Sequence, residues 1–291
     1  MIDINGKTQK YGLFGYPVEH TASPTMHNAA FESSGLNAVY LPFAVHPDNL
    51  EVAVRSLVPL NIKGINVTIP HKQTIIPYLD DLSEIAEVIG AVNTVQIEKG
   101  RLIGHNTDGS GFLTALEEEA GFTVDGKKVF LAGAGGAGFA VATNCVFQGV
   151  SCLGVFDMDA TRSQSLVDKL KELKYHCDIV NLAGLAPDQV DQFLSTADLA
   201  VNATPVGMKQ DDPVPFAVKP LKEKALVYDL VYNIPKTTLI KEAEARGIRA
   251  YSGLSMLLYQ GVLAFEIWTL TQSPVDVMRA ALKRAVYGDT E

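Results

Sequence analysis

The chain has 291 residues, 47% of them hydrophobic, with a formal net charge of -9 and a mean hydropathy of +0.12. That length and apolar content support real cores, and two domains rather than one. The acidic balance, with a pI near 5.2 and no run of basic residues, excludes nucleic acid and anionic membrane surfaces as partners, because both reward a basic face.

The first residues, MIDINGKTQKYGLFG, lack a basic start followed by an apolar core. No later segment approaches the ~18 consecutive apolar residues of a membrane span, so a cytoplasmic protein is expected. Cys145, Cys152 and Cys177 form no CxxC and leave an odd one over. They suit small buried hydrophobes in a reducing compartment. The six histidines show no HExxH or other ligand spacing, so no metal is expected.

In chain order, strand-like runs (YGLFGYPV, AVYLPFAV, GINVTIP, AVNTVQIE) alternate with helical stretches (PTMHNAAFESS, DNLEVAVRSLV, EIAEVIG). This βαβ rhythm predicts a mostly parallel sheet. After NTDGSG and the helical FLTALEEEA, a second α/β unit opens at Lys127 with KKVFLAGAGGAGFAVATNCVFQGVSCLGVFDMD and continues through DLAVNATPVGM, ALVYDLVYN and IRAY. A late helix, GLSMLLYQGVLAFEIWTL, places Leu254, Leu257, Leu258, Val262, Phe265 and Trp268 at helical spacing. The expected architecture is α/β in two domains. Residues 1–105, completed by the C-terminal helices of 254–291, form an N-terminal α/β substrate domain with a mostly parallel sheet, and 106–253 form a Rossmann-like dinucleotide-binding domain.

The second unit carries the sharpest local signal. Val129 to Ala132 read as a strand, and Gly133-Ala134-Gly135-Gly136-Ala137-Gly138 supplies G-x-G-x-x-G where a helix must begin. The first glycine permits the tight turn, the second lets backbone N–H groups approach a pyrophosphate, and the third allows close helix–strand packing. The helix ends at Gly149, the strand CLGVF follows, and Asp157 stands at its end, about the ~20 residues on that the fingerprint expects. A carboxylate there accepts bonds from ribose hydroxyls and repels a 2′-phosphate, so NAD is expected and NADP disfavoured. Arg162, the rival cation, reads as a solvated helix residue, and Asp159 adds a second negative charge.

In the first unit, Ser23-Pro24 reads as an N-cap and N1 pair, and a helix start beside the Thr21 and Ser23 hydroxyls is also a seat for a carboxylate. Asn106-Thr107-Asp108-Gly109 reads as another cap, and Asn93 as a turn residue at a strand entry. Gln260 shares a helix face with Met256, Leu257 and Ala264, so its amide needs a partner. Lys72, two residues beyond Pro70, is a solvated lysine or a cation aimed into a cleft; spacing alone does not choose.

GINVTIPHK, GAVNT, HNTDG, GAGGAG, NATPVGM, DLVYN and GLSMLLYQ occur in one order across nearly the whole chain. The set resembles the shikimate dehydrogenase family, including its quinate/shikimate branch. The resemblance implies an oxidoreductase moving a hydride between a nicotinamide and the C3 position of shikimate or 3-dehydroshikimate, as in the shikimate pathway. It implies Lys72 and Asp108 as the catalytic pair in an interdomain cleft, Thr21 and Ser23 at the substrate carboxylate, and Thr68, Asn93, Tyr232 and Gln260 as further substrate contacts. The segment after Asn202 with Thr204, together with Leu230 and Gly253, is implied near the cofactor. A positioned amine can take a hydroxyl proton or steady an alkoxide. An unperturbed lysine titrates near ~10.4, and a neighbouring carboxylate favours its charged form, so both roles for Lys72 stay open.

Three departures from the common family pattern stand out. Thr21 replaces a serine, His105 replaces an acid before NTDG and is expected at the surface, and Asp157-Met158-Asp159 replaces the Asn-Arg-Thr that resembles the NADP-reading element. The last agrees with the expectation of NAD. A quinate-preferring dehydrogenase and a non-catalytic NAD-binding regulator are the alternatives, and the sequence leaves a homodimer open.

Overall fold

The structure is a computed structural model, described here for residues 4–289. Contacts divide the chain into two compact units, one of residues 1–107 and 258–291, the other of 108–257.

The first unit contains β1 (Gln9–Gly15), α1 (Ser23–Ser33), β2 (Ala38–Ala44), α2 (Leu50–Arg55), β3 (Ile62–Val67), α3 (His71–Thr74), β4 (Asp81–Leu82), α4 (Glu84–Ile89), β5 (Thr94–Glu98) and β6 (Arg101–His105). Its sheet has the order β2-β1-β3-β5-β6-β4. The pairs β1–β2, β1–β3 and β4–β6 are parallel, whereas β5 runs antiparallel to both β3 and β6. The antiparallel turn between β5 and β6 falls at Lys99-Gly100, both at positive φ. The sheet is therefore mixed, with parallel pairing dominant. One core holds Leu50, Val54, Ile65, Val67, Val92 and Val95. Tyr11, Phe31, Tyr40, Phe265 and Trp268 belong to a connected aromatic cluster that His27 joins.

The second unit contains α5 (Asp108–Ala120), β7 (Lys128–Ala132), α6 (Gly136–Phe147), β8 (Cys152–Phe156), α7 (Ala160–Glu172), β9 (Asp178–Asn181), α8 (Pro187–Thr196), β10 (Leu199–Asn202), β11 (Leu226–Asp229), α9 (Thr238–Ala245) and β12 (Arg249–Ser252). All its strands pair in parallel, in the order β12-β11-β10-β7-β8-β9. That order reverses direction beside β7, the doubly wound arrangement whose switch point hosts ligands at the strands' carboxyl ends. The core holds Phe130, Leu182, Leu194, Ala200, Val227 and Leu239.

Two helices close the chain, α10 (Leu254–Thr269) and α11 (Val275–Tyr287). From Leu258 onward α10 belongs to the first unit. Leu258, Val262, Phe265 and Trp268 are buried there, as their spacing predicts, and α11 packs along α1. The Trp268 indole fills the notch over Gly64, where an added Cβ would lie 2.3 Å from the ring, and donates to Val95 O at 3.0 Å.

Several elements escaped the sequence reading: β4, β6, β9, α3, α8 and α9. The first three are strands of five residues or fewer, and two of them lie at sheet edges. Gly149, at φ 84, follows α6 as its C-terminal glycine, and Val150 N–H returns to Cys145 O at 3.1 Å, the expected stop. No helix among the described residues is long and apolar enough to cross a membrane.

Candidate active site

In the first unit, β3 ends at Val67 and the chain turns at once into α3. The Thr68 amide is held by Phe14 O and its carbonyl by His71 N–H, both at 2.9 Å. His71 is fully buried and its Nε2 meets Val45 O at 2.7 Å, so the residue before Lys72 is pinned. The Lys72 carbonyl in turn accepts from Val92 N–H at 2.7 Å. Lys72 is half-buried rather than an open surface charge.

That bond ties Lys72 to the GAVNT turn, where Asn93 is a hub. Asn93 Oδ1 accepts from the Thr107 amide (2.8 Å) and the Thr94 hydroxyl (3.0 Å), and its Nδ2 lies 2.9 Å from Thr107 Oγ1 and 3.5 Å from Gln260 Oε1. The Thr107 hydroxyl also reaches Gln260 O at 3.0 Å. Asn93 stands at the entry to β5, as the sequence reading has it, and is a buried junction between β5, the 106–107 segment and α10. Behind it, Asn66 Nδ2 donates to Asn93 O and Thr94 Oγ1, and Tyr40 OH donates to Asn66 Oδ1 at 2.8 Å. A continuous polar chain therefore links Tyr40, Asn66, Asn93, Thr107 and Gln260. Tyr40, Asn66 and Thr107 were missed in the sequence, although Asn66 inside an apolar strand was a visible anomaly.

Local readings need two corrections. The N-cap of α1 is Ala22, with no side-chain cap bond, so Ser23 is the first helical residue. Thr21 Oγ1 accepts from Ser23 N–H at 3.3 Å. His105 is half-buried in β6, 3.3 Å from Gln96 Oε1, and desolvation lowers its pKa.

The second unit holds Asp108, Tyr232 and the cofactor candidates. Asp108 is buried in the first turn of α5. Gly109 beside it has no room for a Cβ, which would meet Asn144 and the Ala140 carbonyl of α6. Tyr232, 40% exposed, follows β11. Gly133 takes φ 104, and an added Cβ would strike the backbone of Ala203 and Thr204 at 2.7–2.9 Å. At Gly138 it would lie 1.9 Å from Gly133 O, while Gly135 and Gly136 have nothing within 4 Å. The first and last glycines are thus packed and the middle ones open, and the helix N-terminus stands at that open space with its partial positive charge. This cradle fits a dinucleotide pyrophosphate. Thr204 is fixed by Asn202 Oδ1, which accepts from its amide (3.0 Å) and hydroxyl (2.7 Å). Leu230 N–H bonds Asn202 O, and Gly253 lies against the Leu230 backbone, 2.0 Å from its carbonyl for a built Cβ.

The doubly wound sheet and its glycine turn define a two-domain, Rossmann-type dinucleotide-binding protein. The family description "Shikimate dehydrogenase substrate binding domain" matches residues 13–95, and "Shikimate 5'-dehydrogenase C-terminal domain" matches 253–283. Shikimate dehydrogenase (NADP(+)) of Desulforamulus reducens is 47% identical over 290 residues, 97% of each chain, and its namesake in Methanopyrus kandleri is 46% identical with the same coverage. The crystal structure of shikimate 5-dehydrogenase from Listeria monocytogenes in complex with shikimate and NAD is similar at TM-score 0.91 and 38% identity, covering 96% of this chain and 98% of that one. The chain belongs to the shikimate dehydrogenase family of oxidoreductases.

The names of these relatives overturn the expectation of NAD: the curated relatives at 40–47% identity are called shikimate dehydrogenase (NADP(+)). The structure shows how the two acids behind that charge argument are held. Asp157 Oδ2 accepts from Ala134 N–H at 2.7 Å and Oδ1 from Asp159 N–H at 2.9 Å, so this carboxylate braces the glycine turn. Asp159 caps α7, accepting from the Thr161 hydroxyl and amide, which with Arg162 hold its carboxyl below the usual range. Arg162 sits 3.3 Å from Asp159 with its side chain 68% exposed. The two acids are spoken for by backbone donors, and a cation stands in the same turn.

Proposed function

We propose that the protein interconverts shikimate and 3-dehydroshikimate with NADP as its partner. In the oxidative direction the C3 carbon gives up a hydride and its hydroxyl a proton as the carbonyl forms. The nicotinamide supplies the hydride acceptor when bound. Lys72 takes the hydroxyl proton or steadies the alkoxide, with Asp108 as its catalytic partner. Thr21 and Ser23 hold the ring carboxylate, and Thr68, Asn93, Gln260 and Tyr232 orient the ring hydroxyls. The 133–138 turn carries the pyrophosphate, with Thr204, Leu230 and Gly253 beside the cofactor. Arg162 takes the 2′-phosphate, for which an always-charged guanidinium is suited.

The observation that carries this reading is the bond from Val92 N–H to the Lys72 carbonyl. It fixes the main chain of a half-buried Lys72 against Val92, the residue before the Asn93 junction. Rates of nicotinamide reduction by purified protein, with shikimate and quinate each against NADP and NAD, test it. Shikimate with NADP is expected to give the highest kcat/KM. Absence of turnover with every pair rejects the enzyme reading, and a clear preference for quinate rejects the substrate.

A further inference from the structure

Asp229, the last residue of β11, is completely buried and its carboxylate gathers three neutral donors. Oδ1 accepts from the Asn202 side-chain amide at 2.8 Å and from Val231 N–H at 3.1 Å, and Oδ2 accepts from the Thr237 hydroxyl at 2.6 Å. Thr237 in turn caps α9, accepting from Ile240 N–H at 3.3 Å. Asn202 passes the connection on, because its Oδ1 holds Thr204 and its Nδ2 also donates to Val206 O at 2.9 Å. One carboxylate thus fixes the residues after β10, the residues after β11 and the start of α9. The segment after β10 is braced a second time by Asp212, which accepts from Gly207 and Lys209 N–H, each at 3.0 Å.

A buried carboxylate is a poor device for stability alone, since well-packed apolar replacements often serve as well. Burial also pushes the pKa of this group up, against the pull of its three donors. What the arrangement does supply is a single geometry for two loops at the carboxyl ends of β10 and β11. In a doubly wound sheet those ends face the ligand. The glycine turn touches the same loop, since Gly133 has no room for a Cβ against Ala203 and Thr204.

We infer that Asp229, with Thr237, is a positioning pair that holds Thr204 and Leu230 in the geometry the cofactor requires. This rests on the second unit being the NADP-binding domain. The test compares Thr237→Val, which removes the hydroxyl but keeps the shape, with Thr237→Ser, which retains it. NADP dissociation constants are read by titration alongside thermal unfolding and the shikimate KM. Thr237→Val is expected to weaken NADP binding about tenfold, Thr237→Ser to return it to within about twofold of the parent, and the shikimate KM to hold steady. A Thr237→Val protein that melts earlier yet binds NADP like the parent overturns the inference. If that variant does not fold, Asp229→Asn, which turns one acceptor into a donor, is read in the same way: weaker NADP binding supports the pair and an unchanged constant refutes it. Failure of the parent itself to bind NADP would instead strike at the cofactor reading beneath.

Discussion

The main-chain carbonyl of Lys72 accepts a 2.7 Å hydrogen bond from the amide of Val92, so the lysine and the Asn93 turn are fixed to each other by backbone alone. Truncating the lysine leaves that bond in place. Lys72→Ala is therefore expected to fold normally and bind NADP normally while kcat falls by about 10²- to 10⁴-fold, the usual range for a lost proton-transfer group. Steady-state kinetics beside an NADP titration separate the two effects, and near-parental turnover would remove Lys72 from the chemistry.

Asn93 is a junction whose loss strands several buried donors. Asn93→Ala leaves the Thr107 amide and the Thr94 hydroxyl without their acceptor. Urea unfolding should show a loss of about 1–3 kcal/mol, and the shikimate KM should rise with it.

The glycine turn predicts a contrast between two alanine variants. Gly138→Ala drives a methyl into the Gly133 carbonyl and should destabilise the protein by about 1–3 kcal/mol. Gly135→Ala meets nothing within 4 Å and lies at an unstrained φ of -78, so stability should hold. Its methyl instead stands where backbone must approach the pyrophosphate, so NADP affinity should fall. Calorimetry and cofactor titration on both variants check the contrast.

Arg162 pairs with Asp159, the second of the two acids after β8. Arg162→Ala should raise the KM for NADP about tenfold and leave that for NAD unchanged. Equal effects on both cofactors would assign the guanidinium to its Asp159 contact alone.

His27 is fully enclosed, stacked on Tyr40 at 4.5 Å, and burial lowers its pKa from 6.5 to about 3. The folded protein keeps this ring neutral while the unfolded chain protonates it below pH 6.5, so stability falls as pH drops from 6.5 towards 3. The loss is about 2 kcal/mol by pH 5 and about 4 kcal/mol by pH 3. His27→Leu should flatten that limb of a stability–pH curve measured by urea unfolding.

The parts legible in the sequence were those whose pattern is local. GAGGAG after an apolar strand, helical spacing from Leu258 to Trp268, and Gly149 at a helix end each announce a backbone geometry by themselves. Asp157 and Asp159 show where such reading stops, since their charges were visible but the backbone amides that occupy them were not. Ser23 failed as a cap because the helix begins one residue earlier in register, with Ala22 at the cap position, a shift of a single residue that propensity does not resolve. Asp229 was read past as the end of a strand because its three donors come from three separate segments.

Trp268 brings a consequence for the order in which the molecule takes shape. The notch at Gly64 and the Val95 carbonyl wait for an indole encoded some two hundred positions later. On the ribosome the first body begins to emerge before the second yet lacks its closing piece until Trp268 has been made, whereas the body embedded between its two segments is already complete. The earlier-born half is thus the later to mature, and a protein cut short before α10 would be left with an open aromatic seam.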